Sequence, residues 1–184
     1  MDASSRIVFG FHGTTPAIAS GLVSGDIPLE KWKPSKNDYD WLGSGIYFWE
    51  FAPDRAKSWM EQGGAVGAII QLGNCLDLTD ITYTDALSEA YRQLVASCRR
   101  RRKPIPQNRG KRRDLDCAVI NRAVKQIEER TGDIIHSVRG AFLEGEPVFP
   151  GSAILRETHI QVAVREKSCI VGLFRPTGER KDRS

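Results

Sequence analysis

The chain has 184 residues, 40% of them hydrophobic and 27% charged, and a net charge of +4. That length suits one domain with a real core, and the composition is ordinary for a globular protein. Its apolar stretches are only strand-sized, and Met1 to Arg6 lacks a basic start and an apolar signal core. A cytoplasmic protein with no membrane span is therefore expected.

The first predicted strand runs from Arg6 to Phe11 and leads into the turn-forming cluster His12-Gly13-Thr14-Thr15. Pro16 suits the first position of a short helix to about Leu22, and residues 24–38 read as a loop. Gly43-Ser44-Gly45 precedes an aromatic and β-branched strand, Ile46 to Glu50. Pro53 opens a helix with Ala56, Trp59 and Met60 at helical spacing, stopped by Gly63-Gly64. A third strand follows over 65–72.

Leu87, Ala90, Tyr91, Leu94, Val95 and Cys98 fall on one face of a helix over 83–98. A second helix spans about 114–130, with Gly132 as its C-cap. Between them lies the run Arg99 to Arg113, which holds nine of the 27 basic residues and no acid; the other 18 basic residues face 23 acidic ones. A mildly acidic body thus carries one intensely basic segment, which points to an anionic partner. Strands are expected at 133–138, 157–165 and 168–174, with a turn-rich stretch from Gly140 to Gly151 and a polar tail over 177–184. Strands with helices grouped between them indicate an α+β fold. The four cysteines, Cys75, Cys98, Cys117 and Cys169, form no CxxC pair, so reduced thiols are expected and no metal site.

Three pieces carry chemical potential. At Phe11-His12-Gly13-Thr14-Thr15 the glycine allows close approach of a ligand to the backbone, and both threonine hydroxyls can donate or accept. In Gly43-Ser44-Gly45-Ile46-Tyr47-Phe48-Trp49, strand alternation puts Tyr47 and Trp49 on one face, where a phenol ring can stack on a heteroaromatic ring. In Thr158-His159-Ile160-Gln161-Val162-Ala163-Val164, the even positions point to the core, while His159 and Gln161 share the other face with Ala163.

In their order, these pieces resemble the ADP-ribosyltransferase superfamily of the histidine–tyrosine–glutamate type, which includes poly(ADP-ribose) polymerases, diphtheria-like toxins and compact bacterial toxin-like enzymes. The resemblance implies a split β-sheet core with helices inserted between strands, as one catalytic domain over 1–176 with a basic helical insertion at about 83–130. It implies NAD⁺ as substrate, without a metal. By that resemblance His12 bonds the adenosine-side ribose and Gly13 clamps the nicotinamide carboxamide, with Thr14 and Thr15 beside them. Tyr47 stacks on the nicotinamide, and Trp59 is the candidate second wall.

Where the family places a glutamate, this chain has Gln161. A glutamine can bond a ribose hydroxyl but cannot take a proton, so transfer of a single ADP-ribose is expected. A base would come from His159, or from Glu144 or Glu146, which the resemblance also places at the acceptor. The basic segment, above all Arg99, Arg100, Arg101 and Arg102, is expected to bind the acceptor: nucleic acid, RNA first. A protein acceptor and a non-catalytic NAD- or nucleic-acid-binding module are the alternatives. An NAD-dependent RNA 2′-phosphotransferase ranks lower, because its basic residues should line the pocket rather than a loop. The compact size resembles toxins of toxin–antitoxin or phage-defence systems and implies an antitoxin partner.

Overall fold

In the computed structural model, residues 6–60 and 63–176 are described. The 177–184 tail and the start of the chain lie outside them. Nine strands and four helices follow in order: β1 (Ile7–Thr14), α1 (Pro16–Ser24), β2 (Ile46–Glu50), α2 (Pro53–Ser58), β3 (Gly64–Gln71), β4 (Cys75–Asp77), α3 (Thr84–Arg100), β5 (Asn108–Arg109), β6 (Arg112–Arg113), α4 (Asp114–Thr131), β7 (Ser137–Phe142), β8 (His159–Val164) and β9 (Ile170–Phe174). The fold is α+β. Seven strands form one mixed sheet in the order β4-β7-β8-β2-β1-β3-β9, and β5 and β6 make a separate ribbon. Among the described residues no helix is long and apolar enough to cross a membrane.

Alternation along the strands builds a core on each face. Val8, Ile46, Phe48, Ile70, Val162 and Val164 share one cluster. Burial of each such large side chain contributes about 1.5–3 kcal/mol. On the other face, Leu42, Val138 and Ala163 pack under Ile120, Val124 and Ile127 of α4. Helix α2 covers Phe11 and Trp49 through Ala56. His159 and Ala163 of β8 are buried, Gln161 between them is only partly so, and Thr158 precedes the strand and is exposed, not in the core.

The central seam is the feature that positions the site. Strand β1 pairs with β3 over eight residue pairs but with β2 over only two, Gly10–Glu50 and Phe11–Trp49. Beyond Phe11 the two strands part. The Nδ1 of His12 then bonds the Tyr47 carbonyl at 2.8 Å, so a side chain satisfies a carbonyl where the β1–β2 ladder has ended.

Several boundaries differ from the sequence expectations for identifiable reasons. Helix α2 ends at Ser58 with Trp59 as its C-cap, and the Trp59 ring packs on Trp49 and Tyr39, each at 5.2 Å between ring centroids. Helix α3 runs two residues past Cys98 into the basic run, to Arg100, and Arg101 caps it. Strand β7 runs to Phe142 through Gly140, where an added Cβ would meet the Trp41 ring at 2.6 Å; that glycine makes room for an indole, not for a turn. Strand β4, unforeseen, extends the sheet through a parallel ladder with β7. The cysteines are all free; Cys75 and Cys169 are buried, Cys98 and Cys117 only partly, and burial pushes the Cys75 thiol up to about 11.

Candidate active site

A cleft of about 610 Å³ opens where β1 and β2 part. Its size falls within the roughly 300–1,000 Å³ of small-molecule and cofactor sites. His12, Gly13, Tyr47, Trp59, Glu144 and Gln161 all line it. The split seam explains this gathering. His12 projects from the β1 face that packs on Trp32 and Phe48, whereas Tyr47 lies on the opposite face of β2, against Leu42 and Ala163. Only a gap between the strands lets both reach one cavity.

Each of the three central side chains is oriented by a hydrogen bond. The Tyr47 carbonyl can only accept, so His12 Nδ1 carries the proton and Nε2 is left as an acceptor. Burial, outweighing that bond, holds the His12 pKa below its ordinary value and keeps the ring neutral at neutral pH. The indole N–H of Trp41 can only donate, and it meets Gln161 Oε1 at 2.7 Å. The Gln161 amide is thereby oriented with its NH₂ free to donate. Tyr47 Oη donates to the Gly43 carbonyl at 2.7 Å. Burial first, then the charge of Asp40, hold the phenol well above its ordinary pKa.

The Gly-Ser-Gly turn owes its glycines to backbone geometry. Gly43 has φ +79°, and a Cβ there would meet Asn121 Oδ1 at 2.7 Å. That oxygen also accepts from Ser44 N–H and from Arg165 Nη1, at 2.9 and 3.1 Å. Gly13 is glycine for a related reason. A Cβ there would overlap the Ala56 carbonyl oxygen, so the residue serves close packing of α2 as well as facing the cleft.

The cleft has two unlike walls. On one, Arg55 lies over the rings of Trp49 and Trp59, 5.8 and 5.3 Å from their centroids, and its Nη2 meets Glu144 at 2.9 Å and Glu157 at 3.3 Å. On the other stand Ser35, Asn37 and Asp40, joined by Lys111 and Arg113. The basic run brings these two cations in because it folds as a hairpin. Arg113 N–H donates to the Asp38 carbonyl at 2.7 Å, and Arg112 pairs with Asp38 at 3.0 Å.

Other expected site residues lie elsewhere. Thr14 is buried in β1, outside the cleft lining, and the Thr15 hydroxyl is occupied in capping α1. His159 sits beneath the cleft, beside Trp49 and Phe142, with Nε2 buried. Burial also lowers its pKa. Glu146 is exposed and outside the lining. The expected acceptor-binding cluster, Arg99, Arg100, Arg101 and Arg102, also lies outside the cleft lining. Arg99 and Arg100 close α3, Arg101 is its C-cap and Arg102 follows; all four are exposed and none lines the cleft. Of the basic run, Lys111 and Arg113 reach the cleft lining. Basic residues do reach the cleft: Lys111 and Arg113 from the basic run, and Arg55 from α2.

Sequence reasoning missed Asp40 and Trp41, which fell just after the segment read as loop, and Arg55 and Glu157. Adjacent aromatic and acidic residues in Tyr39-Asp40-Trp41 were the available signal. No protein-family model matches the chain, and no curated protein or solved structure shows significant similarity to it.

Proposed function

We propose that the chain is an NAD⁺-dependent, toxin-like mono-ADP-ribosyltransferase with a split-sheet core, acting on nucleic acid, RNA first. The observation that carries this reading is the meeting of His12, Tyr47 and Gln161 in one cleft, although they come from different strands and opposite sheet faces. In this reading His12 Nε2 accepts a ribose hydroxyl, Tyr47 stacks on the nicotinamide, and the Gln161 amide donates to a ribose oxygen. The bond from C1′ to nicotinamide breaks with its electron pair on the ring nitrogen, so the leaving group departs neutral and needs no general acid. The transition state resembles an oxocarbenium ion, and positioning does most of the work. Lys111 and Arg113 supply cations at the cleft for acceptor phosphates.

The test supplies purified protein with labelled NAD⁺ and, separately, RNA, DNA and protein. Nicotinamide is released and one ADP-ribose is added to RNA; His12→Ala and Tyr47→Ala abolish both, and Gln161→Ala cripples them. Absence of nicotinamide release by the unaltered protein overturns the reading. A second reading draws on Lys111 and Arg113 in the cleft: NAD-dependent removal of an RNA 2′-phosphate. Loss of the phosphate from a 2′-phosphorylated oligonucleotide, with nicotinamide released and the phosphate recovered on labelled ADP-ribose and not on RNA, selects it.

A further inference from the structure

Among the described residues three carboxylates line the cleft, Asp40, Glu144 and Glu157. Glu144 and Glu157 share the Arg55 guanidinium. Asp40 has no ion pair among the described residues, although it is only 6% exposed. A tight turn holds it. Oδ1 accepts from Ser35 Oγ at 2.9 Å, Oδ2 accepts from Asn37 N–H at 2.7 Å, and its own N–H donates to the Asn37 carbonyl at 3.2 Å. A carboxylate offers about four acceptor sites, so each oxygen keeps a lone pair. The next residue, Trp41, is the one that orients Gln161.

We propose that Asp40 is the general base of the transfer, supplying from the β1–β2 connection the carboxylate that residue 161 lacks. The inference rests on the ADP-ribosyltransferase reading. The acceptor O–H or N–H bond breaks and its proton passes to the Asp40 carboxylate. The freed pair forms the new bond to C1′, the bond from C1′ to nicotinamide breaks, and its electrons leave on the ring nitrogen. The step involves no redox change.

The alternatives are less suited. Arg55 occupies Glu144 and Glu157, and His159 Nε2 is sealed under the cleft floor. Burial, opposed by the Ser35 and Asn37 bonds and reinforced by Asp38, holds Asp40 above the ordinary carboxylate range, nearer the pH at which a base works best. The titratable groups that interact with it are Asp38, Tyr39, Tyr47 and Cys117, with Lys111 and Arg113 as cations in the same cleft.

Asp40→Asn tests this. The amide oxygen can accept from Asn37 N–H and the NH₂ can donate to Ser35 Oγ, so the turn is preserved. With labelled NAD⁺ and total cellular RNA, transfer falls about 100-fold or more, the lower range of base catalysis. NAD⁺ affinity, read by quenching of tryptophan fluorescence, changes less than about threefold on the same scale. The acid limb of the wild-type pH profile disappears. Transfer by Asp40→Asn close to the wild-type rate overturns the proposal. Should that variant not fold, Ser35→Ala decides. It removes a bond that favours the ionised carboxylate, so the acid limb moves to higher pH; a limb that stays in place also overturns the proposal. A wild-type protein that neither binds NAD⁺ nor releases nicotinamide sinks the transferase reading itself. One that does both and is indifferent to residue 40 sinks only the role of Asp40.

Discussion

The two walls of the cleft use charge in opposite ways. On the tryptophan wall every charge is answered, because Arg55 bridges Glu144 and Glu157 and lies on two indoles. On the facing wall Asp40 is held only by neutral donors, and Arg113 lies over the Phe142 ring, 5.4 Å from its centroid, with no carboxylate partner among the described residues. A charge that is paired locally builds structure; one that is held but not neutralised remains available to a ligand. The contrast separates a wall that shapes the cleft from a wall that can do chemistry.

Arg55→Met should give the largest stability change, because it strands two carboxylates beside apolar rings. Breaking a buried pair costs about 3–5 kcal/mol, and solvent around the half-exposed Glu157 reduces the expectation to about 2 kcal/mol. For a chain of this size that lowers the thermal midpoint by about 4–8 °C. An unchanged melting curve would show that the wall does not depend on its cation.

Gly140→Ala pushes on the Trp41 ring from below and should cost about 1–2 kcal/mol, less if the indole tilts. Since Trp41 orients Gln161, the NAD⁺ turnover that the transferase proposal requires should fall with it. Full activity in this variant would detach Trp41 from the site.

Lys111→Glu with Arg113→Glu should weaken RNA binding about tenfold and reduce the salt slope by about 1.4, or 0.7 for each single-strand phosphate contact. Changing Arg99, Arg100, Arg101 and Arg102 together to Gln should do less, because these side chains lie outside the cleft lining. The reverse ranking, measured by RNA titration at two salt concentrations, would place the acceptor contacts at the end of α3.

The smallest effect concerns acid stability. His12 and His159 both have folded pKa values below the ordinary 6.5, lowered chiefly by burial. The unfolded chain binds their protons more readily, so their contribution is intact above about pH 6.5 and is lost as pH falls below it. Thermal midpoints should decline from pH 7 toward pH 5. His12→Gln should flatten part of that decline.

Much of the fold was legible in local pattern. Helices α1, α3 and α4 and strands β1, β2, β3, β8 and β9 fall near their expected places, because capping residues, proline positions and apolar periodicity are properties of short segments. Strand β4 was not legible, since three residues carry no period. The hairpin at 108–113 was hidden inside a run of charge, and the extent of β7 was hidden by a glycine that reads as a turn until an indole is seen to fill its place.

The sequence by itself determined most of the segments that become helix and strand and several of the residues that line the cleft, His12, Tyr47 and Gln161 among them. Only the tertiary structure decided that these three share a cleft, that Thr14, Thr15, His159, Glu146 and the four arginines from Arg99 to Arg102 do not line it, and that Asp40, Lys111 and Arg113 do. The physical reason is that periodicity reports the face of an element, whereas a site is made where two elements separate. Here that place is the two-pair seam between β1 and β2, which depends on contacts between distant parts of the chain.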